Sequence, residues 1–313
     1  MKDILFLEGK FQEKIWGGNK LKTIYGFDIP SEKTGEYWAI SDMDEMSSTI
    51  LNGSYKAKSL QEVYRDDREL FGNPKSQTFP LLVKIIDASD DLSIQVHPDD
   101  KMAKELEDSR GKTECWYILN EDVSSIIYGL KVDSKQEAIK LIDQRRWKDL
   151  LKEVKTHKGD FFLVKAGTVH AIKKGSLILE IQQASDITYR LYDYDRKDKF
   201  GKLRELHLEK SKQAIKILPN NQNIDLIKDG NLTMRILTDN EYFKVIEKTI
   251  NSSYDFSKEI PYSLFAVIEG SGDISVNDKA YKLNKGDFFI LTTKVNEYKI
   301  EGDLTLVESI AKD

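Results

Sequence analysis

The sequence predicts a mainly β protein made of two related antiparallel β-units, with a small helical segment set into the first. Three observations carry this. Short runs rich in β-branched and aromatic residues recur along the chain, flanked by Gly, Asp, Asn or Lys, without helices alternating between them. That pattern favours a sandwich or barrel over a doubly wound sheet. One segment of strand-and-turn sequence occurs twice. A single longer stretch shows helical period.

In chain order, Ser59–Phe71 and Asp100–Glu107 read as short helices. Leu81–Ile86, Cys115–Leu119, Ser125–Leu130, Phe161–Val164, Leu177–Ile181, Leu264–Ile268 and Phe288–Leu291 read as strands. Ser134-x-x-Glu137 is a capping-box pattern that opens the helical segment. Ala138, Ile139 and Ile142 follow on one face, and Trp147, Leu150, Leu151 and Val154 keep the i, i+3, i+4, i+7 spacing.

The repeat is Lys158-Gly159-Asp160-Phe161-Phe162-Leu163, which returns as Lys285-Gly286-Asp287-Phe288-Phe289-Ile290. Each copy follows an apolar strand. Leu119 and Lys158 lie 39 positions apart, against 17 for Ile268 and Lys285. The excess matches the helical stretch at about 131–154, so the first unit is read as the second with an insertion. The Pro- and Asn-rich segment at 218–223 is the expected linker. It divides the chain into a domain at 1–218 and a second at 219–313.

Composition excludes several classes. With 313 residues and 40% apolar content, the chain can bury a core in each of two domains. Its apolar runs are far shorter than the roughly 20 residues of a membrane span, and the N-terminus lacks a stretch fit for a signal peptide. Net charge is −5 with both signs interspersed, so no basic face for nucleic acid is expected. The one cysteine, Cys115, cannot form an internal disulfide, which fits a reducing cytoplasm.

The candidate chemistry gathers in the first unit. Gln95 and His97 are two apart, so on a strand they share a face. Glu114 opens the next strand, and His170 closes the Gly167-Thr168-Val169-His170 turn. Two imidazoles, a carboxylate and an amide oxygen could bind a borderline divalent ion, zinc above all. The same spacing fits two histidines satisfied as polar groups at strand ends. In the second unit the positions of His170 and Glu114 fall at Glu297 and near Ser263, so that copy lacks the set. His157 and His207 read as inert, the first exposed, the second on an alternating strand. Cys115 points away from Glu114 and reads as a buried thiol. Lys84, Lys112 and Arg190 are cations near the set, suited to proton transfer or phosphate binding, or else simply paired.

Several blocks together carry a resemblance. Ile15-Trp16-Gly17-Gly18, Leu92 through Asp100, Gly111 through Tyr117, Ala166 through Ala171 and Glu180 through Arg190 resemble, in order and spacing, the signature blocks of type I mannose-6-phosphate isomerases. The match runs from about residue 4 to 208. The resemblance implies two cupin-like β-barrel (jelly-roll) units. It implies one zinc per chain held by Gln95, His97, Glu114 and His170, and interconversion of mannose 6-phosphate and fructose 6-phosphate through an enediol(ate). It assigns Arg190, Lys112, Lys84 and Glu180 to catalysis, and Trp16, Ser93 and Asp186 to the substrate pocket. The proton carrier stays open among a metal-bound water, Glu180 and a neutral lysine. Gly111 stands where larger members often carry a histidine, which leaves no imidazole there for ring opening. The expected partner is a small phosphorylated sugar, with no nucleic acid and no membrane, in a monomer or weak homo-oligomer. A rival metal dioxygenase would more often carry His-x-His than Gln95-x-His97.

Overall fold

The computed structural model describes residues 2–197, 201–219 and 224–312. Most of the expected linker, at 220–223, lies outside the described residues. The chain divides into two compact units, neither continuous in sequence: residues 1–10, 38–83 and 222–313 form one, and 11–37 with 84–221 form the other. This differs from a linear division at 218. The reason is pairing at long range: Ile4–Glu8 is antiparallel to Phe288–Leu291, so the N-terminal strand belongs with the C-terminal unit.

The unit that contains residues 84–221 holds the candidate site. One sheet runs Phe161–Val164, Glu114–Ile118, Leu177–Gln183, Leu81–Asp87, Thr34–Ile40, Lys10–Gly18. The other runs Tyr189–Tyr192, Ile94–Val96, His170–Ile172, Ser124–Leu130, Leu151–Thr156. Alternation sorts the side chains. Ile126 and Tyr128 join a cluster with Trp116, Ile118 and Val164, whereas Ile127 faces the other way among Ile94, Val96, Ala138 and Leu141. Since Ile94 and Val96 point outward under the helix, Gln95 and His97 take the opposite face.

The helix under that second face is Lys135–Asp143, and the Ser134 side chain accepts the Glu137 backbone N–H at its start. Beyond it the structure corrects the expectation. Trp147–Leu150 is one helical turn, and Leu151–Thr156 is a strand paired with Ser124–Leu130. The apolar spacing through Val154 arises from two elements, and sheet pairing overrides it. Asp100–Glu107 is a helix as expected, and Ser59 caps the helix Leu60–Asp66 with a full capping box.

The repeat is structural. Gly159 N and Ile118 N bond to Ile118 O and Asp160 O, and Gly286 N and Val267 N bond to Val267 O and Asp287 O in the same pattern. The aspartates act alike too: Asp160 Oδ2 accepts from His157 N at 2.8 Å, and Asp287 Oδ2 from Asn284 N at 2.7 Å. Each Lys-Gly-Asp turn thus launches a strand against its partner in one fixed register. In that register Val164 lies opposite Glu114, and Leu291 opposite Ser263. The C-terminal unit is built round two long strands, Ser263–Val276 and Glu297–Ala311. They cross closely at Gly270, where φ is +74° and a Cβ would lie 2.0 Å from Asp303 O.

Candidate metal centre and its surroundings

His97, Glu114 and His170 converge and are buried, at 1%, 0% and 0% exposure. Their positions follow from the sheets. His170 lies opposite Gln95 across one strand pair, and Glu114 opens the strand that faces them. His97 Nδ1 bonds to Ile187 O and His170 Nδ1 to Thr168 O, both at 2.8 Å. A carbonyl only accepts, so each Nδ1 carries the proton and each neutral ring keeps its Nε2 lone pair free. The two Nε2 atoms then face one another at 3.1 Å. Glu114 Oε2 is 3.3 Å from His97 Nε2, and Oε1 is 3.4 Å from His170 Nε2.

That arrangement fits a divalent cation. Two neutral imidazoles cannot satisfy each other's lone pairs, and both buried Glu114 oxygens accept no well-directed hydrogen bond. A shared cation would meet all of them, and the carbonyl bonds at Nδ1 are what fixes ligating histidines elsewhere. Gln95 adds its amide, 3.3 Å from His170 Nε2, and rotation of that amide would present its oxygen.

Charges around the cluster are buried and interleaved. Burial pushes His97 down to about 3, with the Lys112 charge acting in the same direction, and burial likewise lowers His170. Burial alone would raise Glu114, yet the Lys112 charge holds it well below the usual carboxylate range. Lys112 Nζ lies 3.0 Å from Glu114 Oε2. Burial alone would lower Lys112, but the Glu114 and Glu180 charges raise it. Lys84 Nζ is 3.3 Å from Glu180 Oε2, and Trp116 Nε1 donates to Glu180 Oε1 at 3.0 Å. Burial and the Glu114 charge raise Glu180 against the pull of Lys84 and Lys112.

The remaining expected residues are placed as follows. Arg190 lies opposite Gln95 in the sheet, which puts both side chains on one face. Its Nε is buried and without a partner, while Nη1 donates to Glu205 O at 2.8 Å. Ser93 is buried just before Ile94–Val96. Asp186 is exposed in the turn whose next residue, Ile187, anchors His97. Trp16 is 4% exposed and packs in the core with Trp116 and Ile86. Cys115 is buried, facing away from Glu114 as expected. His157 is exposed beside Asp160. At Gly111 a Cβ would lie 2.5 Å from Asp100 N, so this backbone leaves no room for a side chain in that place.

Three residues at the site escaped the sequence reading. Trp116 touches both halves: its ring lies edge-on to His170 at 5.3 Å, and its N–H holds Glu180. Glu36 is buried, its charge acts on Lys112 and Glu180, and Lys14 Nζ stands 3.4 Å from its Oε1. His207 is not on a strand. It heads the helix Leu208–Ala214 and bonds to the backbone of Arg190.

Comparison with known proteins gives one answer throughout. Residues 4–121 match the family profile described as phosphomannose isomerase type I, catalytic domain. Residues 233–311 match mannose-6-phosphate isomerase, cupin domain. The chain is 45% identical over 311 residues to the mannose-6-phosphate isomerase of Streptococcus mutans, covering 99% of this chain and 98% of that protein. It is 44% identical over 302 residues to mannose-6-phosphate isomerase ManA of Bacillus subtilis, covering 95% and 96%. The crystal structure of the mannose 6-phosphate isomerase from Bacillus subtilis superposes with a TM-score of 0.95 at 42% identity, over 98% of this chain and 99% of that one.

Proposed function

The chain belongs to the type I mannose-6-phosphate isomerase family, and on that premise we propose that it interconverts mannose 6-phosphate and fructose 6-phosphate through an enediolate, with one zinc per chain at Gln95, His97, Glu114 and His170. The observation that carries the metal reading is the pair of facing Nε2 atoms beside the buried Glu114 carboxylate, whose oxygens accept no well-directed hydrogen bond. Zinc in that place would supply a Lewis acid that polarises the sugar carbonyl.

The chain's own residues supply the rest. The reaction moves a proton between C1 and C2, and negative charge develops on the sugar oxygens. The Lys112 ammonium, buried beside Glu114, meets that charge where water is excluded. Glu180, raised by burial and by the Glu114 charge, suits a group that takes and returns the proton, and Lys84 and Trp116 fix its two oxygens. Arg190 presents an unpaired buried N–H, which suits a phosphate or hydroxyl oxygen of the substrate. Ser93 and Asp186 flank this region, and Trp16 supports it from the core. The substrate partner is then a small phosphorylated sugar bound by a monomer or weak homo-oligomer, and a cytoplasmic location agrees with the single buried thiol. Among the described residues no helix is long and apolar enough to cross a membrane.

Turnover in D2O tests the proton transfer. Starting from fructose 6-phosphate, the proposal expects deuterium from solvent at C2 of the mannose 6-phosphate formed. Turnover that never incorporates deuterium would replace the enediolate by a direct hydride shift.

A further inference from the structure

We infer that His207 is a positioning residue for Arg190, holding its guanidinium at the site through the backbone. Arg190 sits on Tyr189–Tyr192, the edge strand of its sheet, and the ladder to Ile94–Val96 shifts register just after it. An edge strand leaves backbone groups unpaired, and a register shift loosens what pairing remains. His207 takes up these groups. Its N–H donates to Arg190 O at 2.8 Å, and its ring Nδ1 accepts the Arg190 N–H at 3.2 Å. Two residues earlier, Glu205 O accepts from Arg190 Nη1 at 2.8 Å. One short segment, 205–207, therefore fixes both the backbone and the head of Arg190 and leaves Nε buried and free.

The ring is suited to the task and is itself held. A backbone N–H can only donate, so His207 Nδ1 is an acceptor and the imidazole proton resides on Nε2. Tyr189 packs at 6.2 Å from the ring, and its hydroxyl bonds to Glu107, which also pairs with Lys210 on the helix that His207 begins. A side chain without an acceptor at the Nδ1 position would leave the Arg190 amide unpaired on a loosened edge. Shifts of about 1 Å in such a group can cost on the order of a hundredfold in rate.

The inference rests on the proposed contact between Arg190 and the substrate, and a double-mutant cycle separates the two. In zinc-loaded full-length protein, His207→Ala is expected to lower kcat/KM by about 10- to 100-fold, with zinc content retained. In an Arg190→Ala background the same change is expected to cost almost nothing more, because its route is already gone. His207→Asn, whose Oδ1 can stand at the Nδ1 position, should recover most of the activity, and His207→Gln, which places its oxygen further out, should not. Equal losses in both backgrounds, or equal activity of the Asn and Gln variants, would overturn the positioning role. The Asn–Gln comparison decides the matter if the alanine variant fails to fold. Near-normal activity of Arg190→Ala would overturn the proposed role of Arg190 itself.

Discussion

Glu308 stands in the C-terminal unit where Glu180 stands in the other. Glu180 lies opposite Trp116, which pairs with Phe162 of the first Lys-Gly-Asp strand; Glu308 lies opposite Phe265, which pairs with Phe289 of the second. Each carboxylate is buried and takes a lysine from the neighbouring strand, Lys84 at 3.3 Å and Lys248 at 2.7 Å. Only the first pair has a ligand set beside it, because Ser263 occupies the position of Glu114. In the C-terminal unit the lysine is instead enclosed by Phe256, Phe265 and Tyr298.

The duplicated pair predicts a separation of stability from activity. Lys248→Met should leave Glu308 buried without its charge partner and lower unfolding free energy by about 3 kcal/mol, while kcat of the folded protein stays unchanged. Lys84→Met should lose stability on a similar scale and lose turnover as well. Denaturant titration and steady-state kinetics on both variants check this. A Lys248→Met enzyme that folds stably yet turns over poorly would contradict it.

Cys115 should be silent in the native protein. Burial pushes its thiol well above the ordinary range, and the side chain has no exposed surface. A colorimetric thiol reagent is expected to find no reactive sulfhydryl until denaturant is added, and then one per chain. Rapid native labelling would count against the placement of Glu114–Ile118.

Lys258 predicts a pH dependence in the alkaline range. Burial lowers its ammonium from 10.5 to about 8, against the opposing Glu308 charge, and Nζ donates to Ile260 O and Pro261 O. Below pH 8 this lysine is charged in both folded and unfolded chains, so the cost of burying the charge is present in full. Between about 8 and 10.5 the unfolded chain binds more protons, and this group makes stability rise with pH. The stability of wild type relative to Lys258→Met should therefore grow by up to about 1.4 kcal/mol per pH unit in that window. A difference that stays flat from pH 7 to 10 would refute it.

What the sequence made legible follows from local rules. Gln95 and His97 could be assigned to one face because Ile94 and Val96 are apolar and a strand alternates. The repeat showed itself because each Lys-Gly-Asp turn makes the same local bonds. Long-range pairing hid the rest. Nothing near Glu36 in the sequence marks it as a charge acting on Lys112 and Glu180. His207 sits in Arg204-Glu205-Leu206-His207-Leu208, whose alternation imitates a strand, while its actual partner is the backbone of Arg190. The N-terminal strand Ile4–Glu8 gives no local sign that it will pair with residues near 290.

Removal and return of the metal probe whether turnover depends on zinc at His97, Glu114 and His170. The purified protein would be assayed on mannose 6-phosphate, stripped with a chelator, assayed again, and titrated with zinc, alongside His97→Ala and His170→Ala. Activity should disappear on stripping and return in full at one zinc per chain, and neither variant should bind zinc or regain turnover. Full activity in the stripped protein, or tight stoichiometric zinc in both histidine variants, would contradict it.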